Sequence, residues 1–555
     1  MPPGEAPREG LVRGAQFMDF PERFNVAEHF LDVPAARHAH RVAIVGEPRQ
    51  VTYGELAALA NRVGNALLEL GVQRGDRVLL VLPDSAEFIA AFFGAAKIGA
   101  VPVPVNSFAR PADYAHYVCD AEPRVALVHG CAVAEFLPAS AERPQMPIVL
   151  VGAERAETGG VRCLQWREWL HGASERLAPA ETTPFDTAFF LYTSGSGGTP
   201  KAAVHQHKDM LATSRNYGQG VLGLREEDIL FSVSKLFFAY GLGNGMYFPL
   251  SAGAQTLLNP ERTQVGTVLE LVRRRRPTVF FAVPTLYAAI LREAEGGRSK
   301  IDFSSVRLAV SAGETLPAEI FERFRRRFQL EILDGIGSTE MLHVFLSSRP
   351  GQARAGSCGV PVPGCEARIV DDAGEAVPDG ELGNLWVRGD SAFAEYWRIP
   401  ELTARTKRDA AFVPAGHARL QSGAAQEKWV VTGDKFLRDS DGYYHYCGRA
   451  DDMLKVAGMW VSPMEVENAL LGHPQVAEAA VVAAASAQGL TYALAYVVLR
   501  GGAPERGDLA AEIREHVKAR LVPYKVPREV RFVRELPKTP TGKIQRFKLR
   551  NNGGR

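Results

Sequence analysis

The sequence has little of what would take it outside the ordinary globular class. Its six cysteines, Cys119, Cys131, Cys163, Cys358, Cys365 and Cys447, are scattered, and none forms a CxxC pair. Such spacing suggests neither a zinc site nor a disulfide framework, and a reducing, cytoplasmic setting is expected. An excess of either charge is missing: 64 Lys and Arg stand against 63 Asp and Glu, for a formal net charge of +1. No global field exists to draw in nucleic acid or an anionic membrane, so neither is expected as a partner. The one dense basic cluster, Arg273 to Arg276, follows the apolar-patterned "VGTVLELV" and precedes Pro277. It reads as a solvated helix C-terminus, where cations suit the dipole. Long apolar runs are lacking too. The most apolar stretch, Phe88 to Val105, is interrupted by Lys97 and by Gly and Pro, and is too broken for a membrane span. The N-terminal "MPPGEAPREGLVRGAQ" has no apolar h-region, so no signal peptide is expected.

What is present is globular composition, 46% apolar and 23% charged, which sets aside disordered and collagen-like chains. The 555 residues exceed the roughly 250–300 at which single cores stop growing, so two or more domains are expected. "VTYGELAALANRVGNALLELG" puts Leu56, Ala60, Val63, Leu67 and Leu70 on one helical face and stops at Gly71. "RVLLVLP" reads as a buried strand, and "SAEFIAAFFGAAKIG" as a helix begun by a Ser cap. "AVPVPV" reads as an extended edge, because its prolines cannot donate to a ladder. "RVALVHG", "AFFLYTS", "DILFSVS", "TVFFAVP", "RLAVSAG" and "EILDG" are further strand candidates with helical segments between several of them. This alternation predicts an α/β fold, with a large N-terminal domain of layered β-sheets and helices over 1–450. From about residue 450 the scale changes. Short helices ("MEVENALLG", "LAAEIREHVKARL") and strands ("VAEAAVVAA", "YALAYVVL", "EVRFV") predict a small α+β domain over 451–555. Ala404 to Gln426 lacks periodicity and reads as an extended loop.

Five motifs offer chemistry. In "YTSGSGGTPKA", Tyr192 to Ala202, backbone N–H groups and hydroxyls can close around phosphate oxygens, and Lys201 adds a cation. It is not the P-loop of nucleotide kinases, because Pro200 stands before Lys201 and Ala202 after it. Alone it is equally a flexible surface loop. "DGIGSTEMLH", Asp334 to His343, offers the Thr339 hydroxyl and the Glu340 carboxylate; a carboxylate beside a triphosphate is a natural Mg²⁺ ligand, whereas alone it is a surface Glu. In "VVTGDKF", Asp434 follows a Gly turn and can accept both ribose hydroxyls of a nucleotide, or simply form an Asx turn. "GRADDMLKVAGMWVSPMEVE" lies at the proposed domain junction. "PKTPTGKIQR" forms a tight loop that can present Lys543 to a partner surface or leave it solvated.

Singly these signals are weak. In this order and spacing they resemble the acyl-adenylate-forming (AMP-binding) superfamily of acyl-CoA ligases, carrier-protein adenylation domains and luciferases, from about "VTYGEL" to "GKIQR". "KLFFAYGLGNGMYFPLSAGA", "VPTLY", "SAGETLP" and "DGIGSTEMLH" are similar to the benzoate–coenzyme A ligase branch, which includes relatives acting on hydroxy- and aminobenzoates. The resemblance implies an acid–thiol ligase using ATP, Mg²⁺ and coenzyme A, with a mobile C-terminal domain. Thr193, Ser194, Gly195, Ser196, Gly197, Thr199 and Lys201 would hold the β- and γ-phosphates. Thr339 would touch the α-phosphate and Glu340 would hold Mg²⁺. Gly313, Glu314 and Thr315 match the adenine-side loop, and Asp434 the ribose carboxylate, with Arg449 nearby. Lys543 matches the lysine that enters for adenylation, Asp451 the hinge, and Gly458 the pantetheine tunnel. Phe238, Ala239, Tyr240, Ala312, Gly335, Ile336, Gly337 and His343 match the acyl pocket, where small residues at 239, 335 and 337 would leave a slot for a planar ring. Read unaided, "LFFAYG" would be core and His343 a satisfied structural histidine.

Three departures stand out. Ala202 replaces the usual Gly, Ile336 stands where many members have an aromatic, and Arg405 to Lys428 is longer than the usual link. The alternatives are a stand-alone enzyme loading an aryl acid onto a carrier protein, and an inactive ligand-binding homologue; Lys543, Glu340 and Asp434 argue against the second. A luciferase-like reaction is a remote third. The expected partners are small molecules (aryl acid, ATP and CoA), and a homodimer is left open.

Overall fold

The computed structural model describes residues 18–46, 49–153, 162–194, 199–297, 301–409, 428–456, 459–485, 491–500, 508–538 and 544–551. The first long helix, Tyr53–Glu69, starts where Thr52 and Glu55 cap each other, each side chain accepting from the other's backbone N–H. Leu56, Ala60, Val63 and Leu67 are buried as the periodicity predicts; Leu70 falls at the C-cap and is only half-buried. Ser85 caps the next helix, Ala86–Lys97, by accepting from Phe88 N. The two helices meet at glycines: a Cβ on Gly94 would stand 2.7 Å from the Ala60 carbonyl oxygen and 3.1 Å from Gly64 N. Lys97, which interrupts the apolar run, is buried at 2% exposure, and its Nζ donates to Asp32 at 2.6 Å and to Asn61 Oδ1 at 2.6 Å.

These helices cover two large sheets. A five-stranded parallel sheet has the order Val101–Pro104, Arg77–Val81, Val125–His129, Ile148–Val151, Cys163–Gln165. The proline-bearing strand is at its edge, where the missing N–H groups cost no ladder bonds. A nine-stranded sheet is parallel through its centre and antiparallel at both ends. Strands Thr187–Ser194, Pro200–Gln206 and Glu395–Tyr396 form a three-stranded sheet. A further antiparallel sheet contains Cys365–Val370, Gly383–Gly389, Lys407–Asp409, Lys428–Arg438 and Tyr444–Arg449. The strand candidates of the sequence all fall in strands.

One expectation is corrected. The segment beginning at Ala404 is not loop throughout: it finishes the helix Pro400–Thr406 and then forms the strand Lys407–Asp409. That strand pairs antiparallel with the start of Lys428–Arg438, Lys407 opposite Val430 and Asp409 opposite Lys428. The rest of the insertion lies outside the described residues. The basic run behaves as expected, with Arg273 to Arg275 closing the helix Val265–Arg275 and Arg276 at φ 48° beyond it.

Beyond Arg449 the chain builds a second, smaller α+β unit. Strands Val476–Ala485, Thr491–Leu499 and Glu529–Phe532 form a sheet, flanked by helices Pro463–Leu471 and Leu509–Lys518. Leu454, Val466, Leu470, Val481, Ile513 and Val517 belong to an apolar cluster drawn wholly from this part of the chain. No described helix is long and apolar enough to cross a membrane.

Because the helix crossing at Gly94 is backbone against backbone, Gly94→Val is expected to destabilise the protein by about 1–3 kcal/mol through overpacking, read as a lowered thermal midpoint. An unchanged midpoint would show that the helices can part freely.

Candidate active site

Four neighbouring strands of the nine-stranded sheet, Ile229–Ser232, Val279–Ala282, Leu308–Ser311 and Ile332–Gly337, run parallel. Parallel strands release their following loops at a common end, which is where open α/β sheets bind ligands. The candidate segments come from that end. Phe238, Ala239 and Tyr240 follow the first strand, Ala312, Gly313, Glu314 and Thr315 follow the third, and Gly335, Ile336 and Gly337 close the fourth. Gly313 takes φ 90°, a conformation that favours glycine, and is exposed.

Thr339 and Glu340 occupy the turn beyond the fourth strand, and this turn is held at several points. The Thr339 carbonyl accepts from Leu342 N at 3.0 Å, with Leu342 at φ 62°, and His205 Nε2 lies 2.9 Å from the same oxygen. Tyr396 Oη donates to Glu340 Oε1 at 2.6 Å, and Phe393 N donates to the Glu340 carbonyl at 2.7 Å. Burial, and then the neighbouring Glu340 carboxylate, push the Tyr396 hydroxyl well above its ordinary pKa, so it stays a donor. Neither His205 nor Tyr396 stood out in the sequence, because Thr339 and Glu340, which they face, lie far away along the chain.

The Gly-rich segment lies in the sequence between two antiparallel strands, Thr187–Ser194 and Pro200–Gln206. Thr193 pairs with Lys201 and Ser194 with Pro200 across these strands. A strand therefore follows it where a nucleotide-kinase P-loop has a helix. Thr199 is exposed at its base. Gly195, Ser196 and Gly197 lie outside the described residues, as do Gly458 and Lys543. Ala202 is buried, with its side chain in the apolar cluster of the five-stranded parallel sheet, so the departure from Gly is accommodated by packing.

Of the acyl-pocket candidates, Tyr240 packs against His343. The His343 ring lies 5.5 Å from Tyr240, 5.3 Å from Tyr217 and 4.6 Å from Phe248, centroid to centroid. Tyr217 and Phe248 were not anticipated; they come from helical segments that pack against His343. His343 Nε2 lies 3.3 Å from the Tyr240 carbonyl, so it is the donor, and burial holds the ring pKa down to about 3. The glycines have a backbone reason. A Cβ on Gly337 would fall 2.4 Å from the His343 carbonyl oxygen, and one on Gly335 2.9 Å from that of Leu346. Their small size is required by the returning antiparallel strand Val344–Ser347. Phe238, Ala239, Tyr240 and Ile336 are partly accessible, whereas Ala312 and His343 are buried. Burial pushes the Asp334 carboxyl far up, out of the ordinary carboxylate range.

Asp434 sits in the strand Lys428–Arg438, beside a register shift at which Gly433 takes φ 75°. It pairs with Arg449, whose Nη1 donates to Asp434 Oδ1 at 3.0 Å and to the Thr432 carbonyl at 2.9 Å. A Cβ on Gly433 would stand 3.0 Å from Arg449 Nη2. The backbone of Asp451 lies in the 3₁₀ turn Ala450–Asp452, immediately after this strand pair. A separate cavity of about 340 Å³, lined in part by His29, Arg37, Arg215 and Glu226, shares no candidate residue.

Comparison with known proteins gives the family. The AMP-binding enzyme family matches residues 31–397, and the AMP-binding enzyme C-terminal domain matches residues 465–543. The chain belongs to the AMP-binding enzyme family. It is 42% identical over 535 residues to a benzoate–CoA ligase of Thauera aromatica, covering 96% of each chain. Among solved structures, the anthranilate CoA ligase AuaEII in complex with anthranoyl-AMP superposes with a TM-score of 0.88 at 38% identity, covering 96% of this chain and 98% of that one. A benzoate CoA ligase from Burkholderia xenovorans LB400 gives 0.83 at 40% identity, covering 95% of this chain and 100% of the other.

Burial keeps three histidines neutral in the fold: His343 at about 3, and His207 and His29 at about 4, the last helped by Arg215. Unfolding returns each to its ordinary 6.5, so the unfolded chain binds more protons between about pH 4 and 6.5 and stability falls as the pH drops through that window. The thermal midpoint is expected to decline from pH 7 to pH 4.5, and less steeply in His207→Asn. Equal slopes would mean that His207 titrates normally in the folded protein.

Proposed function

We propose that the chain activates an aryl carboxylic acid, benzoate or a substituted benzoate, as the acyl-adenylate with ATP, and then transfers the acyl group to coenzyme A. The observation that carries this reading is a Thr–Glu turn and the Tyr240–His343 aromatic cluster on the outgoing segments of one parallel sheet, in a chain 42% identical to a benzoate–CoA ligase. A carboxylate is a poor acyl donor because its leaving group would be oxide. In the first half-reaction a carboxylate oxygen bonds to the α-phosphorus of ATP and the bond to pyrophosphate breaks. In the second, the CoA sulfur bonds to the acyl carbon, its proton is lost, and AMP departs with the bonding pair.

The roles follow the chemistry of the residues. The aryl ring lies against Phe238, Ala239 and Tyr240, with Ala312, Gly335, Ile336, Gly337 and His343 as further walls. Thr193, Ser194, Gly195, Ser196, Gly197, Thr199 and Lys201 surround the β- and γ-phosphates, and Thr339 donates to the α-phosphate. Gly313, Glu314 and Thr315 flank adenine, and Asp434, fixed by Arg449, accepts from the ribose. Glu340 would hold Mg²⁺. Its carboxylate is a hard oxygen donor anchored by Tyr396, and no group of three His, Cys, Asp or Glu converges among the described residues. That donor set suits an ion completed by phosphate oxygens and water. The ion would offset charge on the phosphate oxygens.

Residues 1–450 and 451–555 act as two lobes in this reading, hinged at Asp451. Lys543 enters for the first half-reaction, and Gly458 lines the thiol's path in the second. The 3₁₀ turn at Ala450–Asp452 and the self-contained apolar cluster beyond it support that division. The reaction is assigned to the cytoplasm. Any homodimer is to be sought by light scattering.

An acid panel tests the reading directly: benzoate, hydroxybenzoates, aminobenzoates, cinnamate and hexanoate, scored for pyrophosphate release with free CoA, with a pantetheinylated carrier and without either. Benzoates are expected to lead and CoA to be the acceptor; preference for hexanoate or for the carrier would refute it. Lys543→Ala is expected to lower acyl-adenylate formation on the order of 10²–10³-fold while sparing thioester formation from supplied acyl-adenylate. Asp451→Pro, which restricts the hinge backbone, should do the reverse. Equal loss of both half-reactions in either variant would count against the two-lobe mechanism.

A further inference from the structure

We propose that His205 is a positioning residue for adenylate formation, tying the strand that carries Lys201 to the turn that carries Thr339 and Glu340. This rests on the roles assigned above to those three residues.

The strand Pro200–Gln206 presents two faces. Ala202 and Val204 enter the apolar cluster of the five-stranded parallel sheet, while Ala203 enters that of Met341, Phe393 and Tyr396. Side chains alternate along a strand, so Lys201 and His205 share the face of Ala203, toward the Thr–Glu turn. His205 is completely buried, stacked on Phe189 at 5.1 Å and 16°. Its Nε2 lies 2.9 Å from the Thr339 carbonyl oxygen and its Nδ1 2.9 Å from Asp209 Oδ2. Asp209 also accepts from Lys208 Nζ at 2.8 Å and from Gln206 N at 3.0 Å, so it is fixed as an acceptor. Lys208 is in turn held by the Asp390 carbonyl. Carbonyl and carboxylate oxygens only accept, so whichever ring nitrogen carries a proton has an acceptor in place.

A histidine that only filled space would not need this chain of buried polar partners; an apolar residue of similar volume would serve without desolvating charge. The turn it grips explains the need. Leu342 is in the left-handed region at φ 62°, a conformation that persists in a non-glycine residue only when the surroundings over-determine it. The carbonyl that closes this turn onto Leu342 N is the one His205 faces. Without the imidazole the turn loses a restraint at Thr339. The α-phosphate hydroxyl and the metal-holding carboxylate then lose their register with the phosphate strand. The part of the aryl pocket built on Phe238, Ala239, Tyr240 and Ala312 lies on other segments and keeps its shape.

The test compares full-length wild type, His205→Leu and His205→Gln, whose amide retains one donor. The readouts are benzoate-dependent ATP–pyrophosphate exchange as a function of Mg²⁺, and conversion of supplied benzoyl-AMP with CoA. His205→Leu is expected to lower exchange about 10–100-fold, as for loss of outer-shell partners at metal sites. The Mg²⁺ needed for half-maximal rate should rise, while KM for benzoate and the benzoyl-AMP step stay within about threefold, and His205→Gln should restore most of the exchange. Should His205→Leu not fold, Asp209→Asn carries the same expectation. Equal loss of both half-reactions, an unshifted Mg²⁺ requirement or wild-type exchange in the Leu variant would each overturn the role of His205. Absence of exchange in the wild type would instead sink the proposed function.

Discussion

Parallel pairing fixes where chemistry can occur in this molecule. A parallel sheet needs a crossover between each pair of strands, so the four central strands from Ile229 to Gly337 all deliver their outgoing loops at one edge. Segments that are far apart in the chain, around residues 238, 313 and 339, become neighbours without any of them being individually specialised. The sheet itself is held by ordinary apolar packing, with Phe280, Phe281, Val310 and Leu333 fully buried. The site is thus a by-product of a core that would form for reasons unrelated to catalysis.

What that edge must manage is repulsion. A carboxylate and a polyphosphate are both anionic, and their approach is unfavourable unless cations and oriented donors are already in place. Among the described residues, those proposed for the site are held by fixed partners. Tyr396 aims one Glu340 oxygen, Arg449 aims Asp434, and a neutral His343 keeps charge out of the aromatic pocket. Prior orientation means that little reorganisation remains to be done when the reactants arrive.

Element identity and the broad α/β layering were legible in the sequence because they rest on local patterns. Thr52 with Glu55, the Ser85 cap and the edge prolines each specify their own structure within a few residues. The motifs were legible as chemistry, but their supports were not. His205, Tyr217, Phe248 and Tyr396 reach Thr339, His343 and Glu340, tens to hundreds of residues away, and little in their immediate sequence distinguishes them from core aromatics. The glycines at 335 and 337 were read as pocket hollows, yet the returning strand requires them on its own account. The start of the insertion carries no strand signal in the sequence, because a strand of three charged residues, Lys407–Asp409, shows no alternation to detect.

That short strand has an effect on the tolerance of the fold to change in length. Lys407–Asp409 is zipped to Lys428–Val430, a few residues before Asp434 on the same strand. A zipped base isolates whatever it encloses: residues can be added or removed between positions 409 and 428 while the entering and leaving backbone keep the same separation and direction. Asp434, the carboxylate proposed to bind ribose, is therefore insulated from variation next door, and this position is a natural place at which to graft a peptide tag without retuning the proposed nucleotide site.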